Sequence, residues 1–357
     1  MDNFIFSAAF PRVVFGAGSL QHVGREIDQL GARRALVLCT REQRPLAERV
    51  AALIGERCAG IYDGAVMHVP METARAARTL ACELGADCAI AVGGGSTTGL
   101  GKAIALVSEL PILAIPTTYA GSEMTPVYGI TEGGVKKTGR HARVLPKTVI
   151  YDPELSLTLP PALSVTSGIN AMAHAVEGLY AQDRNPIMDQ LALAGIAALA
   201  RGLPRVLAAP HDVAARADCL YGAWLCGAVL GSVGMALHHK LCHTLGGSYN
   251  LPHAETHTVI LPHVLAYNAS AVPEVAARIA AALGASDAAQ GMLALARALG
   301  APLTLRELGM REQDLDACAD IAASNAYWNP RPVTRAAIRA LLDDAWHGRD
   351  PAAAAPT

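Results

Sequence analysis

The stretch AIAVGGGSTTGLGKAIAL, residues 89–106, decides the fold of the first half of this chain. A short run of small and β-branched residues passes into three glycines, and an apolar pattern with helical spacing follows. Glycines let backbone N–H groups approach a phosphate, and the N-terminus of a helix carries a partial positive charge. This order of strand, glycines and helix predicts a phosphate-binding turn at Gly94, Gly95 and Ser96.

Strand and helix patterns alternate on both sides of this stretch. Strands are expected within ARRALVLCT (32–40), CAGIYDG (58–64) and PILAIPTTYAG (111–121), with amphipathic helical patterns between them. Such βαβα alternation favours a doubly wound, mainly parallel sheet. After residue 159 the pattern is mostly Ala/Leu helical. We therefore predict an α/β dinucleotide-binding domain at 1–159 and an all-α domain at 160–357.

A second polar cluster follows the next strand. The sequence PTTYAGSEMT (116–125) puts Thr117, Thr118 and Ser122 after the carboxyl end of that strand, where open α/β sheets bind ligands. One glycine cluster alone is also compatible with a simple tight turn, whereas two clusters at neighbouring strand ends favour a dinucleotide site. The fingerprint is GGGS rather than GxGxxG, so its details differ from the standard Rossmann turn.

The end of the strand ALVLC bears on the choice of dinucleotide. Thr40 follows Cys39 there, and Arg41 comes next, so no carboxylate occupies the position that often contacts the ribose hydroxyls of NAD. Thr40 is a candidate cofactor contact. We expect NADPH to be accepted alongside NADH.

Composition excludes several classes of function. Of the 357 residues, 52% are hydrophobic and 17% charged, and the formal net charge of −2 gives no electrostatic case for nucleic-acid binding. The apolar run Tyr221–Leu237 is short of a membrane span, which needs about 20 residues. We interpret it as a buried helix that continues into the histidines after it. No basic segment precedes the first apolar stretch, which favours a cytoplasmic protein with reduced cysteines.

Histidines are concentrated in the second half. SGINAMAHAVEG (167–178) places Asn170 and His174 one helical turn apart, and LHHKLCH (237–243) does the same for His239 and His243. His253 follows ten residues later, after a Gly-rich turn. Together these side chains can form a polar pocket, although each alone is compatible with a hydrogen-bonded structural role. We expect His238 to cap a helix or face solvent, and His257 and His263 to be structural.

At these residues the chain resembles the iron-containing (group III) alcohol dehydrogenases. The motifs GGGS, PTTYAGSE, IYDPELSLTLPP, SGINAMAHAVEG, HxxxH with PH ten residues on, and NPRPVTRAAIRALL occur in the order seen in that family. The resemblance implies a dehydroquinate synthase-like architecture, NADH or NADPH as cofactor, an active site between the two domains and a homodimer. It also implies a cofactor contact at His68 in MHVP, for which packing is the alternative.

The resemblance further implies a divalent metal held by one Asp and three His. The matching positions are Asn170, His174, His239 and His253, with His243 as the nearby catalytic histidine. Asn170 replaces the anionic ligand, and a neutral amide oxygen is a weaker donor to Fe²⁺ or Zn²⁺. We therefore expect no bound metal; if one is present, His174, His239 and His253 hold it, since three histidines suffice for zinc.

The subgroup with this asparagine implies the reduction of an alkene conjugated to a ketone in a small dicarboxylate. His243 or His239 then supplies a proton, while Asn170, His174 and His253 hold the oxyanion or a substrate carboxylate. Basic residues of VKKTGRHARV (135–144), including Lys137, are candidates to contact the cofactor or the substrate. A solvated basic loop is the alternative interpretation.

Three other functions remain open at this point. A metal-dependent alcohol or glycerol dehydrogenase would share the fold, and Asn170 disfavours it. A non-catalytic dinucleotide sensor would bind NADH without turnover. A lyase that uses NAD only transiently would show no net consumption of NADH.

Overall fold

The structure, a computed structural model, describes residues 4–133, 135–324 and 327–351. The chain divides into two compact units, which are described separately. The sheet unit contains Ala8–Leu159 and His211–Leu220. The helical unit contains residues 4–7, Pro160–Pro210 and the described chain from Tyr221 onwards.

The sheet unit is built on six parallel strands in the order β1-β8-β5-β4-β2-β3. Its elements are β1 (Arg12–Phe15), α1 (Val23–Gln29), β2 (Ala35–Leu38), α2 (Arg44–Ile54), β3 (Cys58–Tyr62), α3 (Met71–Glu83), β4 (Cys88–Gly93), α4 (Gly95–Ser108), β5 (Ile112–Pro116), β6 (Val127–Glu132), β7 (Val135–Arg140) and β8 (Thr148–Tyr151).

Helices cover both faces of this sheet because alternate residues of its central strands point to opposite sides. On one face Val37 and Ile90 pack with the apolar side of α1 and α2. On the other face Leu36 and Leu38 pack with α3 and α4. The doubly wound arrangement follows from this burial of both faces.

Residues 127–140 depart from the sequence prediction. They were expected to include a basic loop, but β6 and β7 form an antiparallel hairpin with Val127 opposite Arg140. The hairpin lies outside the main sheet, and its strands present polar and charged residues that resemble a loop in composition. The edge strand β1 (Arg12–Phe15) was also not predicted.

The helical unit contains α5 (Pro161–Leu179), α6 (Pro186–Ala208), most of α7 (Val213–Ser232), α8 (Leu237–Tyr249), α9 (His253–Ala269), α10 (Pro273–Leu283), α11 (Ala288–Ala298), α12 (Leu315–Ser324) and α13 (Arg335–His347). The apolar faces of α8, α9, α12 and α13 form one core, which includes Leu241, Ile260 and Leu342. The last helix begins at Arg335, after the motif NPRP rather than within it.

The apolar run Tyr221–Leu237 is not one helix that leads into the histidines, so that part of the prediction is wrong. α7 ends at Ser232, and α8 begins at Leu237. Between them Asp183 accepts the N–H of Gly234 at 2.8 Å, and Glu177 accepts the N–H of Ala236 at 2.7 Å. These side chains satisfy the backbone where the helix is interrupted.

By length and composition alone, three segments of the described chain are apolar enough to cross a membrane: Pro186–Ala208, Val213–Ser232 and Pro273–Ala298. The last of these contains two helices, α10 and α11. The apolar window of α7 is 61% buried inside the structure, so much of its apolar surface serves the protein core.

Neither unit is one continuous stretch, in contrast to the predicted division into 1–159 and 160–357. The start of α7 belongs to the sheet unit because Arg216 is fully buried there. Its guanidinium donates to the Tyr119 hydroxyl at 3.3 Å and to the Leu159 carbonyl at 3.0 Å. Burial raises the pKa of Tyr119 to about 12.

Candidate functional site

The carboxyl ends of β2, β4 and β5 lie side by side in the sheet unit. The winding direction reverses between β2 and β4, and open α/β sheets bind ligands at such a point. Thr40 follows β2, the glycines follow β4 and Thr117 follows β5. Thr117 donates its N–H to the carbonyl of Gly93 at 3.1 Å, and the Gln43 amide lies 3.5 Å from the Thr117 hydroxyl. Gln43 was not among the residues predicted from the sequence.

Space at the glycine turn is too small for side chains. Gly93 has a φ of +144°, and a Cβ there would lie 2.6 Å from the Thr97 hydroxyl oxygen. A Cβ on Gly94 would lie 2.9 Å from the Thr118 methyl group. Gly95 and Ser96 open α4, whose first N–H groups have no partner inside the helix. The turn thus fits the phosphates of a dinucleotide.

Ser122 is held by a buried lysine of α4. The Lys102 ammonium donates to the Ser122 carbonyl at 2.7 Å and lies 3.3 Å from its hydroxyl. It also donates to the Thr125 hydroxyl at 2.8 Å and the Val127 carbonyl at 2.7 Å. Burial lowers the pKa of Lys102 to about 7, and nearby Glu123 opposes this shift. Lys102 therefore ties the phosphate-binding helix to the segment after β5.

His68 lies in a strained turn next to α4. His68 and Val69 have φ values of 63° and 45°, a region that β-branched residues rarely adopt. Thr131 of β6 fixes this backbone, because its hydroxyl donates to the His68 carbonyl at 2.8 Å and its N–H to the Val69 carbonyl at 3.1 Å. Strained backbone is concentrated at ligand sites. The cofactor contact by His68 stays a prediction.

Lys137 lies on β7, with its side chain exposed. Its ammonium pairs with Glu132 of the same hairpin at 2.9 Å. Arg143, which follows the hairpin, pairs with Glu109 at 2.6 Å. These pairs neutralise part of the basic segment, and the cofactor contact by Lys137 stays a prediction.

In the helical unit, α5 and α8 bring the predicted polar side chains together. Asn170 and His174 are buried one turn apart on α5. The ring centroids of His174 and His239 are 5.2 Å apart, and those of His239 and His243 are 5.9 Å apart. His253 was expected to follow a Gly-rich turn, but Gly246 and Gly247 lie within α8, and His253 is the first residue of α9, with an exposed side chain.

Glu177 is a buried carboxylate in this cluster that the sequence analysis missed. It accepts the backbone N–H groups of Ala236 at 2.7 Å, His238 at 2.6 Å and His239 at 3.3 Å. The same carboxylate lies 2.7 Å from Nδ1 of the His239 ring. Glu177 therefore fixes the start of α8, and its contact with Nδ1 leaves Nε2 of His239 as the nitrogen for other partners.

His238 is fully buried, so the expectation that it caps a helix or faces solvent is wrong. Its Nε2 lies 2.8 Å from Nδ1 of His257 and 3.6 Å from the Cys242 sulfur. The donor atoms of these three residues lie within 4.8 Å of one another, a grouping that can hold a metal ion.

A hydrogen bond between the two rings explains this grouping better. The outer nitrogens, His238 Nδ1 and His257 Nε2, are buried and have no hydrogen-bond partner among the described residues. An ion between the rings would displace the existing hydrogen bond and leave an unpaired N–H on each outer side, which is costly in a buried site. We therefore interpret His238 and His257 as a hydrogen-bonded pair that supports the cluster.

Burial keeps the inner imidazoles uncharged. It lowers the pKa of His174, His238 and His257 well below the ordinary value for histidine, and the neighbouring imidazoles add to this effect. A neutral imidazole offers a lone pair on one ring nitrogen. The cluster therefore contains several uncharged ring nitrogens whose lone pairs are available to a metal ion or a hydrogen-bond donor.

Three buried atoms of the cluster have no hydrogen-bond partner in the part of the chain that the structure describes: Asn170 Oδ1, His174 Nδ1 and His239 Nε2. Amide oxygens and imidazole nitrogens are ligands for divalent cations. A carboxylate behind a ligand histidine, as Glu177 lies behind His239, orients the ring and raises its basicity. Together with His253, these residues fit a divalent ion.

Two family models match this chain. The model described as iron-containing alcohol dehydrogenase matches residues 11–153, and the C-terminal model of the Fe-containing alcohol dehydrogenase family matches residues 164–346. The chain therefore belongs to the iron-containing alcohol dehydrogenase family, a class of NAD(P)-dependent oxidoreductases. The predicted fold class, an α/β N-terminal domain with a parallel sheet and a helical C-terminal domain, is confirmed.

Relatives that match over the full length of this chain indicate a particular enzyme within the family. Maleylacetate reductase from Burkholderia cepacia is 61% identical over 351 residues, which cover 98% of this chain and 100% of the relative. Maleylacetate reductase from Pseudomonas sp. strain P51 is 57% identical over 349 residues, 98% of this chain and 99% of the relative. The crystal structure of maleylacetate reductase from Agrobacterium tumefaciens matches with a TM-score of 0.96 and 54% identity, covering 98% and 100% of the two chains.

The expectation that no metal is bound finds no support in these comparisons. The family is named for its iron, and the unpartnered donors at Asn170, His174 and His239 fit such an ion. The expectation rested on the missing carboxylate at position 170 alone, whereas Glu177 places a carboxylate in direct contact with His239.

Proposed function

We propose that this chain catalyses the NAD(P)H-dependent reduction of the C=C bond of maleylacetate to 3-oxoadipate, and that it also accepts chloromaleylacetates, in the degradation of aromatic compounds. The observation that carries the proposal is the buried cluster of neutral imidazoles with an amide, Asn170, at the position of the expected carboxylate. Full-length similarity to maleylacetate reductases supports it. None of the described features favours a dinucleotide sensor or a lyase.

The alkene of maleylacetate is conjugated to a ketone, and this determines the chemistry. Hydride leaves the nicotinamide and adds to the alkene carbon farther from the ketone. The alkene electron pair then moves toward the ketone oxygen as an enolate, and a proton is added to the carbon next to the ketone. One NAD(P)H and one proton are consumed, and NAD(P)⁺ and 3-oxoadipate are formed.

Residues of the helical unit can serve each part of this reaction. His243 or His239 supplies the proton, a role that suits an imidazole near neutral pH. Asn170, His174 and His253 hold the developing oxyanion or a substrate carboxylate through hydrogen bonds. Glu177 keeps the His239 ring in one orientation, through its contact with Nδ1.

Asn170, His174, His239 and His253 are the residues that would hold a divalent ion. When bound, such an ion supplies Lewis-acid polarisation of the substrate oxygen. Elemental analysis of the purified enzyme, followed by EDTA treatment and an activity assay, distinguishes a metal-free site from a metal-bound one. Activity that survives complete metal removal assigns the whole reaction to the side chains; activity lost with the metal and restored by Fe²⁺ or Zn²⁺ assigns the ion an essential part.

For the dinucleotide, we propose that NADH and NADPH are both used. Arg44 pairs with Glu48 at 3.0 Å and with Asp63 at 2.9 Å. Arg41, which is exposed directly after Thr40, is then the cation left to meet a ribose phosphate. A KM for NADPH several hundred times that for NADH contradicts this part of the proposal.

The setting of the enzyme is proposed from its composition and family resemblance. We propose a cytoplasmic homodimer that acts on a small dicarboxylate and binds neither nucleic acid nor membrane. The formal net charge of −2 supports the absence of nucleic-acid binding. Light scattering coupled to gel filtration measures the oligomeric state directly.

The decisive experiment follows the absorbance of NADH at 340 nm. Maleylacetate is offered in parallel with simple aldehydes and with glycerol plus NAD⁺. Rapid oxidation of NADH with maleylacetate, and at least 100-fold lower kcat/KM for the other substrates, is the expected result (a difference of about 2.7 kcal/mol in transition-state binding). Faster turnover of aldehydes or glycerol instead identifies an alcohol dehydrogenase.

A further inference from the structure

A tyrosine contacts the histidine that the proposed mechanism uses as an acid. The Tyr327 hydroxyl lies 3.3 Å from Nδ1 of His243, and the two rings meet edge to face with centroids 6.3 Å apart. On the same helix as His243, Lys240 places its ammonium 5.7 Å from the centre of the Tyr327 ring. This tyrosine lies in the segment between α12 and α13, and none of the sequence motifs pointed to it.

The chain directly after Tyr327 is anchored firmly to α9. The side-chain amides of Asn268 and Asn329 exchange two hydrogen bonds, of 3.1 and 2.8 Å. The Tyr267 hydroxyl donates to the Pro332 carbonyl at 2.5 Å, and the Arg331 guanidinium lies over the Tyr267 ring at 4.4 Å. The first of these anchors lies only two residues from the phenol. The segment NPRP therefore fixes the residue that reaches His243.

We propose that Tyr327 is a positioning residue that accepts a hydrogen bond from Nδ1–H of His243 and so makes Nε2 the nitrogen that delivers the proton. The inference rests on the proposed function, because it assigns the orientation of His243 within that reaction. In the imidazolium form both ring nitrogens carry protons. The Nε2 proton passes to the carbon next to the ketone, the C–H bond forms with the enolate electron pair, and Nδ1–H stays bonded to the phenol oxygen.

The phenol is suited to this role because it keeps its own proton. Burial raises the pKa of Tyr327, and the charge of Glu177 raises it further. A neutral hydroxyl accepts from Nδ1–H in both states of the imidazole, so the ring need not turn during proton transfer. A fixed ring orientation keeps the donor aligned with the substrate carbon.

Tyr327→Phe removes only the hydroxyl and tests this inference. We expect kcat for maleylacetate to fall by roughly 10-fold to 100-fold, as for other partners that orient a functional imidazole, while KM for NADH stays within about twofold. Tyr221→Phe is the matched control, because Tyr221 and Tyr327 are 41% and 40% exposed. Unchanged kcat in Tyr327→Phe, or an equal loss in the control, overturns the proposal.

A double variant shows whether the hydroxyl acts through His243. In His243→Ala, the additional change Tyr327→Phe is expected to lower kcat by less than about twofold, since the two residues then form one coupled unit. If the hydroxyl change lowers kcat by the same factor with and without His243, Tyr327 acts independently and the inference is wrong.

A spectroscopic measurement keeps this inference separate from the proposed function. ¹⁵N NMR of the histidine-labelled enzyme, assigned with His243→Gln, reports which nitrogen of His243 carries the proton. We expect the Nδ1–H tautomer in the wild type and its loss in Tyr327→Phe. The same tautomer in both proteins overturns the inference, whereas an enzyme with the expected tautomers but no turnover of maleylacetate overturns only the proposed function.

Discussion

The glycine turn of the sheet unit is formed by the backbone, whereas the histidine cluster of the helical unit is formed by side chains. At Gly93 and Gly94 the backbone turns in a space where even one added methyl group collides with a threonine. The histidine cluster is built from buried side chains: Glu177 is held by hydrogen bonds to the start of α8, and burial lowers the pKa of His174 well below its ordinary value. The glycine turn is therefore expected to be sensitive to added side-chain volume. The histidine cluster is expected to be sensitive to the loss of single polar atoms and to protonation.

The strongest test of this contrast removes the proposed acid. His243→Ala is expected to lower kcat by roughly 10²–10⁴-fold, the usual contribution of a general acid, while the KM for NADH changes little. Steady-state kinetics with maleylacetate measures both values. His22→Ala, an exposed histidine in the sheet unit, serves as control. Wild-type kcat in His243→Ala removes this residue from the mechanism.

Glu177→Gln tests the dependence on single polar atoms. A glutamine has one acceptor oxygen, so its amide NH₂ must face a backbone N–H where Glu177 now accepts on both oxygens. We expect a loss of about 2 kcal/mol in unfolding free energy and roughly 10-fold weaker binding of Zn²⁺. Urea unfolding and zinc titration of the metal-depleted enzyme measure these changes.

Glu274→Gln is the matched control for this substitution. Glu274 is likewise a helical glutamate, in the first turn of α10, but its side chain is exposed. Its replacement is expected to change the unfolding free energy by less than about 0.5 kcal/mol. Equal effects of the two substitutions would show that burial and contact with His239 are unimportant.

Because buried histidines of the helical unit are uncharged in the folded state, we expect its stability to fall at acidic pH. Burial lowers the pKa of His263 from 6.5 to about 4, against the opposing charges of Asp344 and Asp350. The unfolded chain therefore binds more protons below pH 6.5, so stability is fully present above that pH and is lost as the pH falls toward 4. At pH 5 the loss from His263 alone is about 2 kcal/mol.

Urea unfolding at pH 7 and pH 5 measures this loss. His263→Gln is expected to flatten the pH dependence by that amount, and the exposed His211→Gln is expected to leave it unchanged. An unaltered pH dependence in His263→Gln contradicts the assignment.

For the glycine turn, the corresponding test is a substitution that adds one methyl group. Gly94→Ala places a Cβ 2.9 Å from the Thr118 methyl group, so the turn or Thr118 must shift. We expect KM for NADH to rise about 10-fold, which corresponds to ~1.4 kcal/mol of strain, with a smaller effect on kcat. Gly247→Ala, where no atom lies within 4 Å of the new Cβ, should leave KM unchanged. A similar rise in both variants refutes the volume argument.

The smallest expected effect concerns the choice of cofactor. Arg41→Ala is expected to lower kcat/KM for NADPH about threefold more than for NADH, the scale of an exposed ionic contact. Arg49→Ala, exposed on α2, is the control. Equal changes for both cofactors would assign the ribose phosphate to another residue.

The two sites also differ in how much of them could be predicted from sequence. Gly93 and Gly94 are needed because the tight turn at the end of the strand has no space for side chains. This requirement is local, so the glycines in the sequence predicted the turn directly. The spacing of Asn170 and His174 likewise predicted a shared helical face. Glu177 lies three residues after His174 on that helix and could have been included by the same spacing, but its partners at the start of α8 are far along the chain.

Other features depended on tertiary contacts that no local pattern contains. His238 adjoins His239 and was expected to face solvent, yet its ring is buried against His257. The end of α7 at Ser232 follows from side chains of a distant segment that bind the backbone after it. The hairpin of β6 and β7 resembled a loop because its charged residues gave no alternation of apolar and polar positions.

The assignment of His211–Leu220 to the sheet unit has a consequence for biosynthesis. Arg216 is fully buried in a unit whose residues, apart from His211–Leu220, all precede Pro160. On the ribosome, the sheet can therefore begin to form early, but it is completed only after the whole of α5 and α6 has been synthesised and residue 220 has left the exit tunnel. The first 159 residues alone would therefore lack the buried arginine that donates to the Tyr119 hydroxyl and the Leu159 carbonyl.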